Sequence, residues 1–340
     1  MAALAPAEPI RSDREAYEFV GNTPLAPGCR WTIYCYRPLV PALVVRLPFA
    51  LDTNWRIVQV AANAAAGTVL GLVTTSLSAT ATLPILTSVI AHSSYGFAFT
   101  AYDPYAADPA VFLIAALLLW CWVHDRWQWA IVLGVVGVFV KETVALLCGA
   151  LAIAGLIERP RSGKWLVPAT ASAITLGAFH LVTRTFLDWD ISRNPAAQLE
   201  HGSWLALWWR TNPFLERKVY MIFAVFGFAW LFAALGWRMA PPRWRILAPA
   251  LIAPMAILVV IQTPERALAN AFFVVAPFAA LYVARQPVLG STAIALNALI
   301  TAKAGTSSLW LPSARWTLVP AAIAAILAMR RLPNPNSRES

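Results

Sequence analysis

The feature that most constrains this chain is a recurrence of apolar stretches, each roughly 17 to 25 residues long, from about residue 56 towards the C-terminus. A stretch of that length spans a hydrocarbon core as a helix. Backbone N–H and C=O groups cannot go unpaired in lipid, so the alternative would be a closed barrel. The alternating ten-residue pattern of a barrel does not occur. Charged residues make up 12% of the chain, roughly half the share usual for a soluble domain. The expected fold class is therefore all-α: a polytopic integral membrane protein with about nine transmembrane helices plus one re-entrant-like helical hairpin.

The expected spans cover residues 56–78, 80–101, 108–123, 165–187, 219–236, 244–262, 267–284, 286–302 and 310–329. The hairpin runs from Trp127 to Ile157 and is interrupted near its middle by Lys141 and Glu142. Each half is about 14 residues, short for a crossing, so its charged tip is expected to face the side opposite its ends. Three regions follow: an extracytoplasmic or interfacial segment (1–55), a transmembrane helical domain (56–331) and a disordered tail (332–340). No internal repeat or low-complexity tract is visible.

The net charge of +10 does not indicate nucleic acid, because many basic residues sit in short inter-helix loops. Lys and Arg in such loops mark the cytoplasmic side. Placing Arg159, Arg161 and Lys164, then Arg238, Arg243 and Arg245, then Arg330 and Arg331 in the cytoplasm also brings His124-Asp125-Arg126 inside. The N-terminal segment, Asp103 and Asp108, the Lys141-Glu142 tip, the 188–217 loop and Glu265-Arg266 then converge on the outer face. The polar N-terminal segment lies outside with no span before it in this scheme, and its arginines run against the rule. Either a first helix belongs ahead of it or it stays inside. Cys121 and Cys148 fall in apolar runs and read as packing residues, whereas Cys29 and Cys35 are able to pair if their segment is extracytoplasmic. The four histidines are scattered, and no metal-ligand spacing appears.

Several residues on the outer face carry possible chemistry. Asp13 and Glu15 flank Arg14 ahead of Tyr17, and each suits either a general base or a helix start, with Ser12 or Asp13 as N-cap. Tyr36-Arg37-Pro38-Leu39-Val40-Pro41 is a stiff segment leading into the membrane, where Arg37 either holds a phosphate or snorkels beside Trp31 and Tyr34. Asp103 and Asp108 lie five residues apart among prolines. Asp108-Pro109 reads as a helix cap, which leaves Asp103 as the more interesting acid. Lys141-Glu142-Thr143 is either a solvated tip or part of a polar cavity, since ionisable groups within an apolar run are costly. Glu265-Arg266 after Pro264 reads as a capped helix start or as an anion site. The tryptophans of the 188–217 loop suit an interfacial helix lying flat.

In their order along the chain, these elements resemble the GT-C superfamily of membrane-embedded glycosyltransferases. The resemblance rests on Asp13-Arg14-Glu15-Ala16-Tyr17, Tyr36-Arg37-Pro38-Leu39-Val40-Pro41, the acids Asp103 and Asp108, Lys141-Glu142-Thr143 and Glu265-Arg266. It implies transfer of a sugar from a polyprenyl-phosphate donor to a lipid or glycan acceptor on the extracytoplasmic face of a bacterial inner membrane. It also implies Asp13, Glu15 or Asp103 as the base, with Arg37, Asp108, Lys141, Glu142, Glu265 and Arg266 around the substrate. No cofactor is expected; a divalent metal is compatible but not indicated. The family's first helix does not precede Asp13 here, which bears on the placement of Asp13; that no globular domain follows the helices suggests a minimal, bacterial-type member. A transporter or lipid flippase would also place ionisable groups within helices, but no inverted repeat accompanies them. A non-catalytic membrane partner is the third reading.

Overall fold

The computed structural model describes residues 13–29, 34–78, 80–189, 223, 225–250 and 268–306. Among these the structure is all-helical, with no strand. The elements are α1 (Arg14–Asn22), α2 (Leu39–Val44), α3 (Leu51–Val73), α4 (Thr82–His92), α5 (Tyr95–Tyr102), α6 (Asp108–Val123), α7 (Trp127–Gly137), α8 (Thr143–Glu158) and α9 (Leu166–Phe186). They continue with α10 (Phe228–Met239), α11 (Pro242–Arg245), α12 (Leu247–Ala250), α13 (Phe272–Val283) and α14 (Pro287–Thr306).

Two described helical stretches are long and apolar enough to cross a membrane, Leu51–Ser76 and Leu166–Phe186. The other apolar helices are shorter, 10 to 17 residues each. Of the expected spans, 108–123 coincides with α6 and 165–187 with α9, while 56–78 begins five residues early, at Leu51. The 80–101 span is instead two helices, α4 and α5. They part at Ser93 and Ser94, whose hydroxyls donate to the C=O groups of Ile90 (2.9 Å) and Ala91 (2.7 Å). Carbonyls satisfied in this way let a helix end inside an apolar run. The 310–329 span and the 332–340 tail lie outside the described residues.

The hairpin forms as expected, with α7 and α8 parting between Val138 and Glu142. Small residues let its arms touch: a Cβ on Gly137 would stand 2.5 Å from Val144 Cγ1, and one on Gly134 would stand 3.0 Å from Cys148 Sγ. Cys121 and Cys148 are buried free thiols, in keeping with packing roles.

Helix α3 packs on α6 and α4, α10 on α13, and α9 on α7 and α8. The outward face of α9 carries Ile174, Leu181 and Phe186, which are 65%, 66% and 76% exposed. Ile57, Val60 and Leu72 of α3, Ile85 and Val89 of α4, and Val132 and Val136 of α7 are exposed as well. So much apolar surface on a helical bundle is costly in water and at no disadvantage in lipid.

Helices α6 and α8 are 16 residues each, about 24 Å, and both run from one polar cluster to another. At the end where they stop, Arg243 donates to the C=O groups of Trp122 (2.7 Å) and Val123 (3.3 Å), the last turn of α6. Its Nε lies 3.1 Å from Glu158, and its guanidinium stands over the Trp122 ring. Nearby, Lys164 pairs with Asp125, and Arg245 donates to Ala240 and Arg238 C=O groups, both at 2.7 Å. The cluster where α6 and α8 begin is different.

Candidate functional site

Three segments far apart in sequence bring charge to the start of α6 and α8. The first residue of α6, Asp108, pairs with Lys141 at 2.5 Å, and both side chains are 5% exposed. Glu142, the next residue on the hairpin tip, turns to Arg37 instead. Arg37 Nε donates to its Oε2 at 3.1 Å and Nη2 to its Oε1 at 2.6 Å, a two-pronged contact across 105 residues. Adjacent residues entering a helix point in different directions, which is why Lys141 and Glu142 take different partners.

One expectation changes here. Asp108 is not a helix cap; Ala107 holds that position without a side-chain bond, and the Asp108 carboxylate is buried on Lys141. Of the two readings of the hairpin tip, the structure fits the polar interior and not the solvated tip: Lys141 is 4% exposed, Thr143 is 3% exposed, and a third of the Glu142 side chain is open. Partial burial pushes the Glu142 carboxyl up, but the Arg37 guanidinium outweighs this and holds it down at about 2. The carboxylate is ionised throughout the working range. A guanidinium has five N–H donors, of which Glu142 takes two.

Asp13 lies at the entrance of α1 but makes no capping hydrogen bond. Its Oδ1 instead accepts from Tyr34 Oη at 2.5 Å. Tyr17 on α1 touches the Tyr34 ring edge-on, 5.0 Å between centroids, and Tyr17 and Tyr34 both lie within electrostatic reach of Arg37. Asp108 also reaches Arg37 electrostatically. Asp13, Tyr34, Arg37, Glu142, Asp108 and Lys141 therefore form one continuous polar cluster. Glu15 is exposed and stands apart from it.

Asp103 is 3% exposed and accepts from the Tyr105 N–H at 3.2 Å, so it shapes the turn between α5 and α6. Asp103 caps no helix start, and its local role is in this turn. Its neighbour Tyr105 donates its hydroxyl to Asp52, which also pairs with Arg14 at 3.1 Å. The ring of Trp55 lies between those of Tyr17 (5.2 Å) and Tyr105 (5.7 Å). Glu265 and Arg266 lie outside the described residues, as do residues 190–217 of the Trp-bearing loop.

Cys29 and Cys35 are disulfide-bonded. The bond is buried with Tyr36 and Trp189, and Phe179 packs against them. Trp189 is thus a core residue, not part of a helix lying flat on the membrane, and its Nε1 donates to Ala26 C=O at 2.8 Å. The Tyr36 ring lies on His180 of α9, 4.3 Å between centroids. Sequence reasoning missed Tyr34, Asp52 and His180 as parts of this end. Tyr34 stands beside Cys35, and that adjacency was the available signal. Asp52 and His180 sit in apolar helices and gave none.

Among the described residues no three His, Cys, Asp or Glu side chains converge in a way that would hold a metal ion. No protein-family model matches the chain, and neither does any curated protein or solved structure.

Proposed function

We propose that this chain is a glycosyltransferase of the membrane-embedded GT-C kind, crossing the bilayer about nine times with the Trp127–Ile157 hairpin inserted from one side. The orientation follows the basic loops: Arg159, Arg161, Arg238 and Arg245 on the cytoplasmic face, and the Asp13–Arg37–Glu142 cluster on the extracytoplasmic face of an inner membrane. A disulfide beside that cluster favours the same assignment, because such bonds persist in oxidising compartments. The exposed apolar faces of α3, α4, α7 and α9 suit lipid.

One observation carries the reading. Asp13 is a carboxylate free of capping duty, held by a phenol at the edge of a cluster of buried charges. A base for an acceptor hydroxyl needs fixed geometry and an ionised oxygen at the membrane surface. In this scheme a polyprenyl-phosphate-linked sugar docks near Arg37, whose guanidinium Glu142 orients. Asp13 takes the proton of the acceptor hydroxyl as its oxygen attacks the anomeric carbon, and the lipid phosphate leaves with the bonding electrons. Lys141 is committed to Asp108 and acts through structure. Arg266 remains a second candidate for the phosphate.

The test is release of the sugar from a short-chain polyprenyl-phosphate hexose to water or to an added lipid or glycan acceptor by purified full-length protein in nanodiscs. Asp13→Asn is expected to lower turnover by about a hundredfold or more while donor binding persists. Glu15→Gln is expected to change it little. Normal turnover in Asp13→Asn would rule out Asp13 as the base, and no release by the unaltered protein would favour a transporter, flippase or non-catalytic partner.

A further inference from the structure

Four consecutive residues, Tyr34-Cys35-Tyr36-Arg37, each make a different contact beyond the turn they form. Tyr34 donates to Asp13, 21 residues back. Cys35 is bonded to Cys29. The Tyr36 ring packs on His180 and edge-on to Trp189, at 4.3 and 5.0 Å. Arg37 grips Glu142. The Arg37 N–H donates to the Tyr34 C=O at 2.9 Å, so the four residues close into a single turn. The segment ahead of the disulfide is anchored too: the Gly28 N–H donates to Leu187 C=O at 2.6 Å and Trp189 holds Ala26.

A closed turn has few internal degrees of freedom, so the backbone positions from which the Tyr34 phenol and the Arg37 guanidinium extend are fixed relative to each other. An interfacial tyrosine ordinarily turns its hydroxyl to water or headgroups. The Tyr34 hydroxyl turns inward to a carboxylate that does not cap its own helix. Burial first, and then the Asp13 carboxylate, raise the Tyr34 phenol above its usual range, so it remains a donor at any working pH. A carboxylate accepts at two oxygens. With Oδ1 held by Tyr34, the rotation of the group is fixed and Oδ2 is turned to a definite place.

We propose that the Tyr34–Arg37 turn is the positioning element of the site, with Tyr34 the residue that orients the Asp13 carboxylate and the Cys29–Cys35 bond the pin that holds the turn. This rests on the reading of Asp13 as the base. It goes beyond that reading by naming what aims the base and what ties it to the Arg37 end.

Tyr34→Phe keeps the ring against Tyr17 and removes only the hydroxyl. In full-length protein with a short-chain polyprenyl-phosphate hexose, kcat for sugar release is expected to fall about tenfold to a hundredfold, with the donor KM unchanged, because a base displaced by about 1 Å loses rate on that order. The Cys29→Ser/Cys35→Ser variant is expected to lower kcat in the same way, and adding Tyr34→Phe to it should bring little further loss, since both act through one carboxylate. Independently of turnover, the infrared carboxylate stretch assigned by an Asp13→Asn difference spectrum should shift in Tyr34→Phe. An unchanged kcat in Tyr34→Phe, alongside a collapse in Asp13→Asn, would overturn the positioning role and leave the base intact. Additive losses would overturn the pin. Full activity in Asp13→Asn would remove the reading beneath both, and an unshifted carboxylate band would show that the phenol does not hold Asp13.

Discussion

The two ends of α6 and α8 use charge in opposite ways. Where these helices begin, Asp108, Lys141 and Arg37 are buried and paired side chain to side chain. Where they stop, Arg243 and Arg245 donate mainly to backbone carbonyls, and the Lys164–Asp125 pair is open to its surroundings. A buried ion pair costs much of its attraction in desolvation, so it is a weak source of stability and a strong constraint on geometry. An exposed cation at a helix end satisfies orphan carbonyls and favours the cytoplasmic side, with little demand on position. One end is built to fix side chains, the other to finish helices.

The largest expected difference between the ends lies in the ion pairs themselves. Lys141→Met leaves the Asp108 carboxylate buried without its cation and is expected to destabilise the protein by about 3–5 kcal/mol. Combining it with Asp108→Leu should recover a large part of that loss. Thermal unfolding in detergent measures both, and a Lys141→Met protein as stable as the parent would erase the distinction between the ends.

A smaller effect concerns pH. The Glu142 carboxyl is held down at about 2 when folded, against roughly 4.3 for a free Glu. A depressed carboxyl contributes stability above its unfolded value and loses it as pH falls towards its folded value. The thermal midpoint should therefore drop between about pH 4.3 and 2, and Glu142→Gln should flatten that part of the profile. An identical profile in the variant would detach Arg37 from Glu142 in solution.

The smallest effect belongs to the other end. Lys164→Met removes the partner of an exposed Asp125 and is expected to cost less than about 1 kcal/mol. A loss rivalling that of Lys141→Met would mean that the two ends are built alike.

What could be read in the sequence was local, and what could not was long-range. The Lys141-Glu142 interruption marked the hairpin because charge inside an apolar run is conspicuous, and Asp108-Pro109 marked the start of α6 because proline suits a first turn. The partners of these residues were invisible: Asp108 and Lys141 lie 33 residues apart and Arg37 and Glu142 lie 105 apart, separations with no periodicity to betray them. The segment of α2 read as a stiff entry into the membrane, with Pro38 and Pro41 as its marks, and no helix was expected there. In a first turn the missing N–H has no intrahelical partner to lose, so the proline is tolerated. The break at Ser93-Ser94 escaped notice because hydropathy does not register hydroxyls that bond their own backbone. The N-terminal acids were legible as a pair, but only the phenol of Tyr34 separates Asp13 from Glu15.

The contact between Gly137 and Val144 reaches further than packing. Lys141 and Glu142 lie between these two residues, so the spacing of the hairpin arms decides where both charges are delivered. A single methyl group at 137 would meet Val144 Cγ1 at 2.5 Å and force the arms apart. The tip would then carry Lys141 off Asp108 and Glu142 off Arg37 together. A hydrogen atom in an apolar seam thus acts as the calibration of an electrostatic instrument: an uncharged substitution there would be felt first as misplaced charge.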